Sequence, residues 1–548
     1  MSDNKTLYEY LQANTAKHPE KVWLRERLGD TFTEWTWQQS YEQISAVAAW
    51  LEQKYGSEKT TIALLSRNRA HWFFADLAII GSGNVNVPLF TTLNADNAKY
   101  ILEFAEVSVL FLGETANWDV IRPVLPKGIE IITLPGVDCD LPCRKWDDIV
   151  AESAGQEPQY EADFEDLISI VFTSGTTGVP KGSLQTHRSS VVPVDRLREK
   201  VELPDDARVF SYLPLAHIAE RHLVEFFSVM RGSQVSFNES LETLIRDLAE
   251  VQPHFLFGAP RVWELLQQAV IASFGSEQEL ELALATDKSG TSQKIREMLG
   301  VQHAKFLLSA AAPAATSMLE WYASLGMDLC EGFGQTEAMG LLSNTGADNR
   351  IGSIGKAMDD VEIKIGENDE LLVRADGLSP GYYNMPEKTA ELWQDGWLHT
   401  GDKARIDVDG YVYLFGRVKD YFKTIHGKFV APAPIENNFA ACSVVEQLCL
   451  LGRGYSKTVM VCVVTTPQDK KSVEQTILDQ LTEVNTTVSK HERIGAIIVT
   501  SEPWTIENGV LTPTLKIRRD EVEARYGEKA QVMARESAEQ SAVLLEWA

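Results

Sequence analysis

The sequence is short of positive charge. Its 548 residues hold 51 Lys and Arg against 78 Asp and Glu, a formal net charge of −27. A nucleic-acid-binding face needs the opposite balance, because phosphate contacts are made mainly by Lys and Arg. A polybasic membrane anchor is disfavoured for the same reason. The chain also lacks a cysteine framework. Cys139, Cys143, Cys330, Cys442, Cys449 and Cys462 form no C-x-x-C pair and fit no zinc spacing. No apolar run approaches the length of a membrane span, and the opening MSDNKTLYEYLQ has no basic-then-apolar secretory pattern. The expectation is an acidic, soluble, cytoplasmic enzyme with reduced thiols.

What is present is ordinary globular composition, 44% hydrophobic and 24% charged. The length exceeds what one core supports, so two or three domains are expected. Trp23–Arg27 and Thr31–Trp37 flank Gly29-Asp30 and read as two strands about a turn. Ile44, Val47, Ala48 and Leu51 mark a helix. Thr61–Leu65 and Val85–Leu89 read as buried strands around a helix at Arg69–Ile80, with further strands at Val107–Leu112 and Ile129–Leu134. Such alternation predicts doubly wound α/β layers. The tail beyond Val522 reads as a solvated helix anchored by Leu544, Leu545 and Trp547.

The chain is organised around Ile168–Gly182, ISIVFTSGTTGVPKG. An apolar, β-branched run enters a loop of hydroxyls and glycines, Thr173, Ser174, Gly175, Thr176, Thr177 and Gly178, and Lys181 follows. Glycines leave backbone N–H groups uncovered, and hydroxyls and a lysine add donors and charge. Together they make a phosphate cradle. It is not a Walker A loop, because Lys181 is followed by Gly182 and preceded by Pro180.

Further along, EGFGQTEAMG at Glu331–Gly340 offers a flat face in Phe333, a hydroxyl in Thr336 and a hard oxygen ligand for Mg2+ in Glu337. VFSYLPLAHIAER at Val209–Arg221 carries His217, Glu220 and then His222. The histidines stand five apart, one too many for the zincin pattern. From its residues alone His217 is left as a helix-capping or packing residue or, less favoured, a metal ligand. WLHTGD ends on Asp402, read as a carboxylate after a tight glycine turn. Arg417 has the bidentate geometry for phosphate or ribose.

These strings together resemble the adenylate-forming superfamily of acyl-CoA synthetases, firefly luciferase and nonribosomal adenylation domains. LPLAHIAER, GAPRVWE and HGKFVAPAPIE are most similar to long-chain acyl-CoA synthetases of bacteria. The resemblance runs from about Leu64 to Lys516. It implies a large multi-subdomain N-terminal ATP- and acyl-binding domain over 1–418 and a small mobile α+β domain over 419–548. It further implies ATP, Mg2+ and CoA, a carboxylic acid substrate and an acyl-AMP intermediate. A carrier protein's phosphopantetheine arm is the alternative acceptor, and a silent nucleotide-binding regulator is the alternative of another class.

By the same resemblance, Thr173–Lys181 takes the β- and γ-phosphates and Ala310, Ala311 and Ala312 run along the adenine. The family usually has glycines there, so alanine puts the backbone geometry in question. Phe333 and Gly334 sit against the nucleotide, with Gly334 also near the acid. Thr336 touches the α-phosphate and Glu337 holds Mg2+, while Asp402 and Arg417 hold the ribose. His217 and Ala259, within Gly258–Arg261, line the acyl path. Lys419 is the hinge. Gly427 and Lys428 belong to a loop that turns inward for thioester formation. Lys516, in TPTLKIR, bridges the carboxylate and α-phosphate. Lys516→Ala is therefore expected to lower adenylation by on the order of 10²–10³ while sparing thioester formation from supplied acyl-adenylate. Equal loss of both half-reactions in single-turnover assays would contradict that division of labour.

Overall fold

Strands Thr61–Leu65, Val85–Leu89 and Val109–Leu112 are buried almost throughout. Continuous burial is what parallel strands covered on both faces require, and helix Ala70–Gly81, buried at every residue, supplies one cover. The computed structural model describes residues 5–548 except 30, 57, 174–178, 466–468, 507 and 513–515. Among the described residues, these strands belong to a seven-stranded sheet. Its order is Arg144–Lys145, Glu130–Thr133, Val109–Leu112, Thr61–Leu65, Val85–Leu89, Leu167–Thr173 and Lys181–Thr186. Every pairing is parallel except the last. Leu167–Thr173 and Lys181–Thr186 form an antiparallel hairpin with Thr173 opposite Lys181. The glycine-rich loop is thus the connection within a hairpin, and its residues Ser174, Gly175, Thr176, Thr177 and Gly178 lie outside the described residues.

A nine-stranded sheet runs from Lys356–Ala357 through Ala338–Ser343, Leu329–Gln335, Phe306–Ser309, Phe255–Gly258, Arg208–Ser211 and Gln234–Phe237. Val22–Leu28 and Thr31–Thr36 complete it. The expected N-terminal hairpin therefore closes the far edge of a sheet built mainly from residues 200 positions later. One apolar core joins the two sheets, with Ile62 and Phe111 from one and Val209 and Phe255 from the other. Thr36 caps helix Trp37–Tyr55 through a capping box with Gln39, which is why Trp37 starts a helix and does not end a strand.

The junction of the sheets also holds a buried cation. Arg221 lies in the π-helical segment Arg221–Phe226 and is fully buried. Its Nη2 donates to both carboxylate oxygens of Asp76, at 2.8 and 2.7 Å, and its Nη1 donates to the Ser169 hydroxyl at 2.9 Å. Asp76 belongs to helix Ala70–Gly81 and Ser169 to the strand that enters the glycine-rich loop. The guanidinium therefore ties the connection after Arg208–Ser211 to the other sheet.

A five-stranded sheet follows, with Glu362–Ile365, Glu370–Arg374, Trp397–Ile406 and Trp393–Gln394 in order and Val412–Arg417 paired to Trp397–Ile406. Asp402 sits inside the ten-residue strand Trp397–Ile406, not after a turn. Gly401, at φ 70°, supplies the left-handed step just before it. The last sheet orders Gln447–Leu451, Thr458–Val463, Ile494–Thr500 and Leu544–Trp547. The solvated C-terminal helix expected from the sequence is corrected here. Helix Arg519–Gln540 buries Val522, Tyr526, Ala530, Met533 and Ala534, and Leu544–Trp547 pairs in parallel with Ile494–Thr500. No helix among the described residues is long and apolar enough to cross a membrane.

Removing one member of a buried ion pair strands the other charge, at a cost of about 3–5 kcal/mol. Arg221→Met is expected to lower stability by that amount in denaturant titration, and Arg221→Met combined with Asp76→Leu to recover part of it. A double variant no more stable than the single one would show that the pair is not the stabilising unit.

Candidate active site

A cavity of about 2110 Å³ draws its walls from both large sheets, the five-stranded sheet and the C-terminal segment. Thr173 and Lys181 line it from the two sides of the hairpin. Burial lowers the pKa of Lys181, and the Glu337 charge opposes that shift. Its ammonium lies 5.1 Å from the centre of the Tyr382 ring, and the Tyr382 hydroxyl donates to Glu337 Oε1 at 2.5 Å. Tyr382 reaches this place because Gly381–Tyr383 adds to the edge of the hairpin. The Gly381 carbonyl accepts from Leu184 N–H at 2.9 Å, and Tyr383 N–H donates to the Gly182 carbonyl at 2.8 Å. The two glycine-rich motifs are joined through the Tyr382 side chain.

Ala310, Ala311 and Ala312 also line the cavity. Ala311 has φ 75°. The left-handed region costs an L-residue about 1–2 kcal/mol, so this segment keeps the backbone path a glycine would take and bears the strain. Phe333, Gly334, Thr336 and Glu337 face the cavity from the irregular end of the Leu329–Gln335 and Ala338–Ser343 hairpin, where the register shifts between Phe333 and Gln335. Glu331, two residues before Phe333, lines it too. Its carboxyl is buried, its Oε2 has no hydrogen-bond partner among the described residues, and burial raises its pKa to about 7. The sequence reading quoted Glu331 as the start of a motif and gave it no task. Its charge inside an otherwise apolar strand was the available signal.

Asp402 and Arg417 meet. Arg417 Nε lies 3.1 Å from Asp402 Oδ1, and Arg417 Nη1 donates to the Thr400 carbonyl at 2.9 Å. Gln335 Nε2 donates to Asp402 Oδ2 and to the same carbonyl. Gln335, quoted within its motif but unassigned, thus orients the carboxylate. Burial raises the pKa of Asp402, while Arg417 opposes that shift.

Lys516 enters the same cavity. Its loop is closed by Thr512 N–H donating to the Lys516 carbonyl at 2.8 Å and by a bridge between Leu511 and Ile517. The Lys516 side chain is open to water through the cavity yet walled by protein on the scale over which charges interact. Burial lowers its pKa to about 8, Arg417 adds to the shift, and Asp402 and Glu337 oppose it.

His217 is both helix cap and cavity wall. Its Nδ1 accepts from Ala219 N–H at 3.3 Å, so the proton of the neutral ring sits on Nε2. Burial lowers its pKa to about 3, with the Lys516 charge contributing. Among the described residues no three His, Cys, Asp or Glu side chains converge as a metal site, which leaves the metal reading of His217 without support.

Some expected residues lie elsewhere. Ala259 is the buried N-cap of helix Pro260–Phe274 and does not line the cavity, whereas Phe257 and Arg261 do. Ala259 is corrected to a residue behind the wall, because the strand end turns its neighbours inward. Gly427 and Lys428 sit at the exposed tip of the Phe422–Lys423 and Phe429–Val430 hairpin, away from the cavity. Lys419 lines the cavity just beyond Arg417, where the chain passes to the last sheet.

The donor set suits an organic polyanion better than a resident metal. Glu337 stands among hydroxyl, ammonium and guanidinium donors, and among the described residues no three His, Cys, Asp or Glu side chains come together to hold an ion by themselves. Mg2+ commonly takes one or two carboxylates and completes its shell with phosphate and water, so Glu337 fits a metal that arrives with phosphates. The model for the family described as AMP-binding enzyme matches residues 11–383. The chain belongs to that family. The model for the AMP-binding enzyme C-terminal domain matches residues 419–535. The long-chain-fatty-acid–CoA ligase 5 of Rattus norvegicus is 29% identical, covering 95% of this chain and 87% of its own length. The putative fatty-acid–CoA ligase fadD11 of Mycobacterium tuberculosis is 29% identical over 69% of this chain and 76% of its own. The A domain of a carboxylic acid reductase from Segniliparus rugosus, solved with AMP and a co-purified carboxylic acid, superposes with a TM-score of 0.82. It is 21% identical and covers 98% of this chain and 95% of its own.

The electrostatics of this AMP-binding enzyme make Lys516 titrate low. Its labelling by an amine-selective reagent, read by mass spectrometry against pH, is expected to reach half-reactivity near about 8. Asp402→Asn should move that midpoint down, because a stabilising anion is lost, and Arg417→Gln should move it up. An apparent pKa at the ordinary 10.5 would contradict the arrangement.

Proposed function

We propose that this enzyme is an AMP-forming acid–thiol ligase. It activates a medium- to long-chain fatty acid with ATP to acyl-AMP and pyrophosphate, then transfers the acyl group to CoA. The observation that carries the reading is the convergence of Lys516, Thr336, Glu337, Asp402 and Arg417 on one cavity. That cavity continues along apolar side chains, Val194, Leu197, Leu223, Phe257, Leu308 and Met339. The names of the relatives support CoA as acceptor and a fatty acid as substrate. Six free cysteines and the absence of a long apolar helix among the described residues agree with action in the cytoplasm.

Attack of a carboxylate on the α-phosphate brings two anions together, so catalysis rests on placed positive charge and donors. Thr173 and Lys181 hold the outer phosphates, with the loop between them. Phe333 and the Ala310–Ala312 backbone flank the adenine. Glu331 accepts from the exocyclic amine of the base, which gives its unpaired oxygen a partner. Asp402 accepts from the ribose hydroxyls, held in place by Gln335 and Arg417. Lys516 lies between carboxylate and α-phosphate, and the nucleotide's charge keeps its ammonium protonated above the free-enzyme pKa. Thr336 donates to an α-phosphate oxygen. Glu337 would hold a Mg2+ that enters with ATP, and the ion would supply charge to offset that of the phosphates. Tyr382 orients the Glu337 carboxylate through its hydrogen bond.

Lys516 occupies the cavity and the Gly427–Lys428 tip lies outside it, so this arrangement suits the adenylation step. Arg261 Nη1 donates to the Glu446 carbonyl at 3.1 Å across the join. Rotation about Lys419 withdraws Lys516 and brings the Gly427 loop inward for thiol attack. The test is ATP-dependent pyrophosphate release, with and without CoA, over acids from short to long chains and several aryl acids. CoA-dependent turnover on a band of chain lengths is expected. One equivalent of pyrophosphate that stalls with CoA present would instead indicate a carrier-protein acceptor, and silence across the panel would refute the reading.

A further inference from the structure

The turn after His217 departs from α-helical geometry. Residues Arg221–Phe226 form a π-helix, an arrangement that is rare and concentrated at functional sites. It lets consecutive side chains take unrelated tasks. Arg221 is spent on Asp76 and Ser169, while His222 and Leu223 enter the cavity wall. Helix His187–Lys200 packs against this segment and adds Pro193, Val194 and Leu197 to the same wall. His222 is a polar side chain set among these apolar neighbours.

Its chemistry is unfinished. His222 is 1% exposed, and neither ring nitrogen has a hydrogen-bond partner among the described residues. The ring packs near Phe226, with centroids 5.3 Å apart. Burial first and the adjacent Arg221 charge second hold the imidazole neutral, with its pKa pushed down to about 3. A neutral ring carries one donor and one acceptor. Leaving both unmet in a buried wall costs free energy that a partner in the cavity would return. His217 differs in both respects. Its Nδ1 is already used by Ala219 N–H, and it feels the Lys516 charge.

We infer that His222 reads a hydrogen-bonding oxygen on the acyl chain, so that the preferred acid carries a hydroxyl or keto group and is not a plain alkyl chain. The inference rests on the acid-activating function proposed above and narrows its substrate class. His222 lies five residues beyond His217, on the order of 7 Å along a helix. Since His217 stands next to the carboxyl-activating Lys516, the substituent read by His222 sits several carbons from the carboxyl. A hydroxyl pairs with the ring nitrogen it reaches in either tautomer, accepting from the N–H or donating to the bare nitrogen. A keto oxygen accepts from the N–H tautomer. An unsubstituted chain leaves the ring as unpaired as it is in the free enzyme.

The test uses matched acids of equal chain length, unsubstituted or bearing a mid-chain hydroxyl or keto group at successive positions. CoA-dependent pyrophosphate release gives kcat/KM for the full-length protein and for the His222→Leu and His222→Gln variants. Binding of the same acids is followed by the thermal shift they induce without ATP. The full-length protein is expected to favour the best-placed oxygenated acid over its unsubstituted partner by roughly tenfold or more, since sites built to hydrogen-bond discriminate strongly against analogues lacking the group. His222→Leu is expected to bring that ratio to one or below, and His222→Gln to retain part of it. A ratio near one in the unaltered protein overturns the inference, as does a ratio that His222→Leu leaves intact; His222 would then hold only a water. If His222→Leu does not fold, the His222→Gln ratio decides. Turnover of plain acids without preference defeats the inference alone. A His222-dependent preference in binding with no pyrophosphate release defeats the ligase reading and leaves the inference standing.

Discussion

The buried pairing of Arg221 with Asp76 is the constraint from which the site follows. A guanidinium removed from water must have its donors met, and Glu225 of its own segment comes only within 3.9 Å. It therefore reaches across to the helix Ala70–Gly81 and to Ser169 on the strand entering the glycine-rich loop. That fixes how the two large sheets sit against each other. Glu225, fully buried beside the pair, is pushed well above the ordinary carboxylate range by burial and by the Asp76 charge. The π-helical turn that delivers Arg221 to its partners also delivers His222 to the cavity. Packing, the glycine-rich hairpin and the cavity wall are thus coupled through a single side chain.

The cavity is locally unlike the chain as a whole. The formal net charge is −27, yet Lys181, Arg417, Lys419 and Lys516 all line one cavity. Net charge governs solubility and long-range attraction, whereas recognition of a polyanion depends on donors within a few ångströms. Concentrating cations has an energetic cost before the ligand arrives. The pKa values of Lys181 and Lys516, lowered by burial and by neighbouring cations, are forms of that cost. Asp402 and Glu337 relieve part of it by charge, and Tyr382 and Gln335 hold those two carboxylates in place. An anionic nucleotide would relieve the remainder, which favours binding over the empty state.

Much about this protein was determined by sequence locally. Apolar, β-branched runs such as Ile168–Phe172 and Thr61–Leu65 are strands because burial on both faces selects them. Thr36 and Gln39 begin a helix through a capping box between two residues three positions apart. The two glycine-rich motifs and the positions of Asp402, Arg417 and Lys516 were legible because each depends on residue type and near neighbours, and together they were enough to indicate the family.

Tertiary structure decided the rest, for reasons of distance along the chain. Tyr382 meets Glu337 only because Gly381–Tyr383 pairs with a hairpin some 200 residues earlier. Gln335 orients Asp402 across 67 positions. Leu544–Trp547 is a strand because Ile494–Thr500 offers an open edge, so side chains that looked like anchors for a helix became part of a sheet. Ala259 caps helix Pro260–Phe274 while Phe257 and Arg261 on either side of it line the cavity, an alternation set where strand passes into helix. His222 was weighed only as the second histidine of a near-zincin spacing, since nothing in its sequence announces a π-turn or tells which of its neighbours will take the buried pairings. Composition and periodicity report what a residue prefers. Which preference is left unmet in the folded chain depends on partners that only the fold supplies.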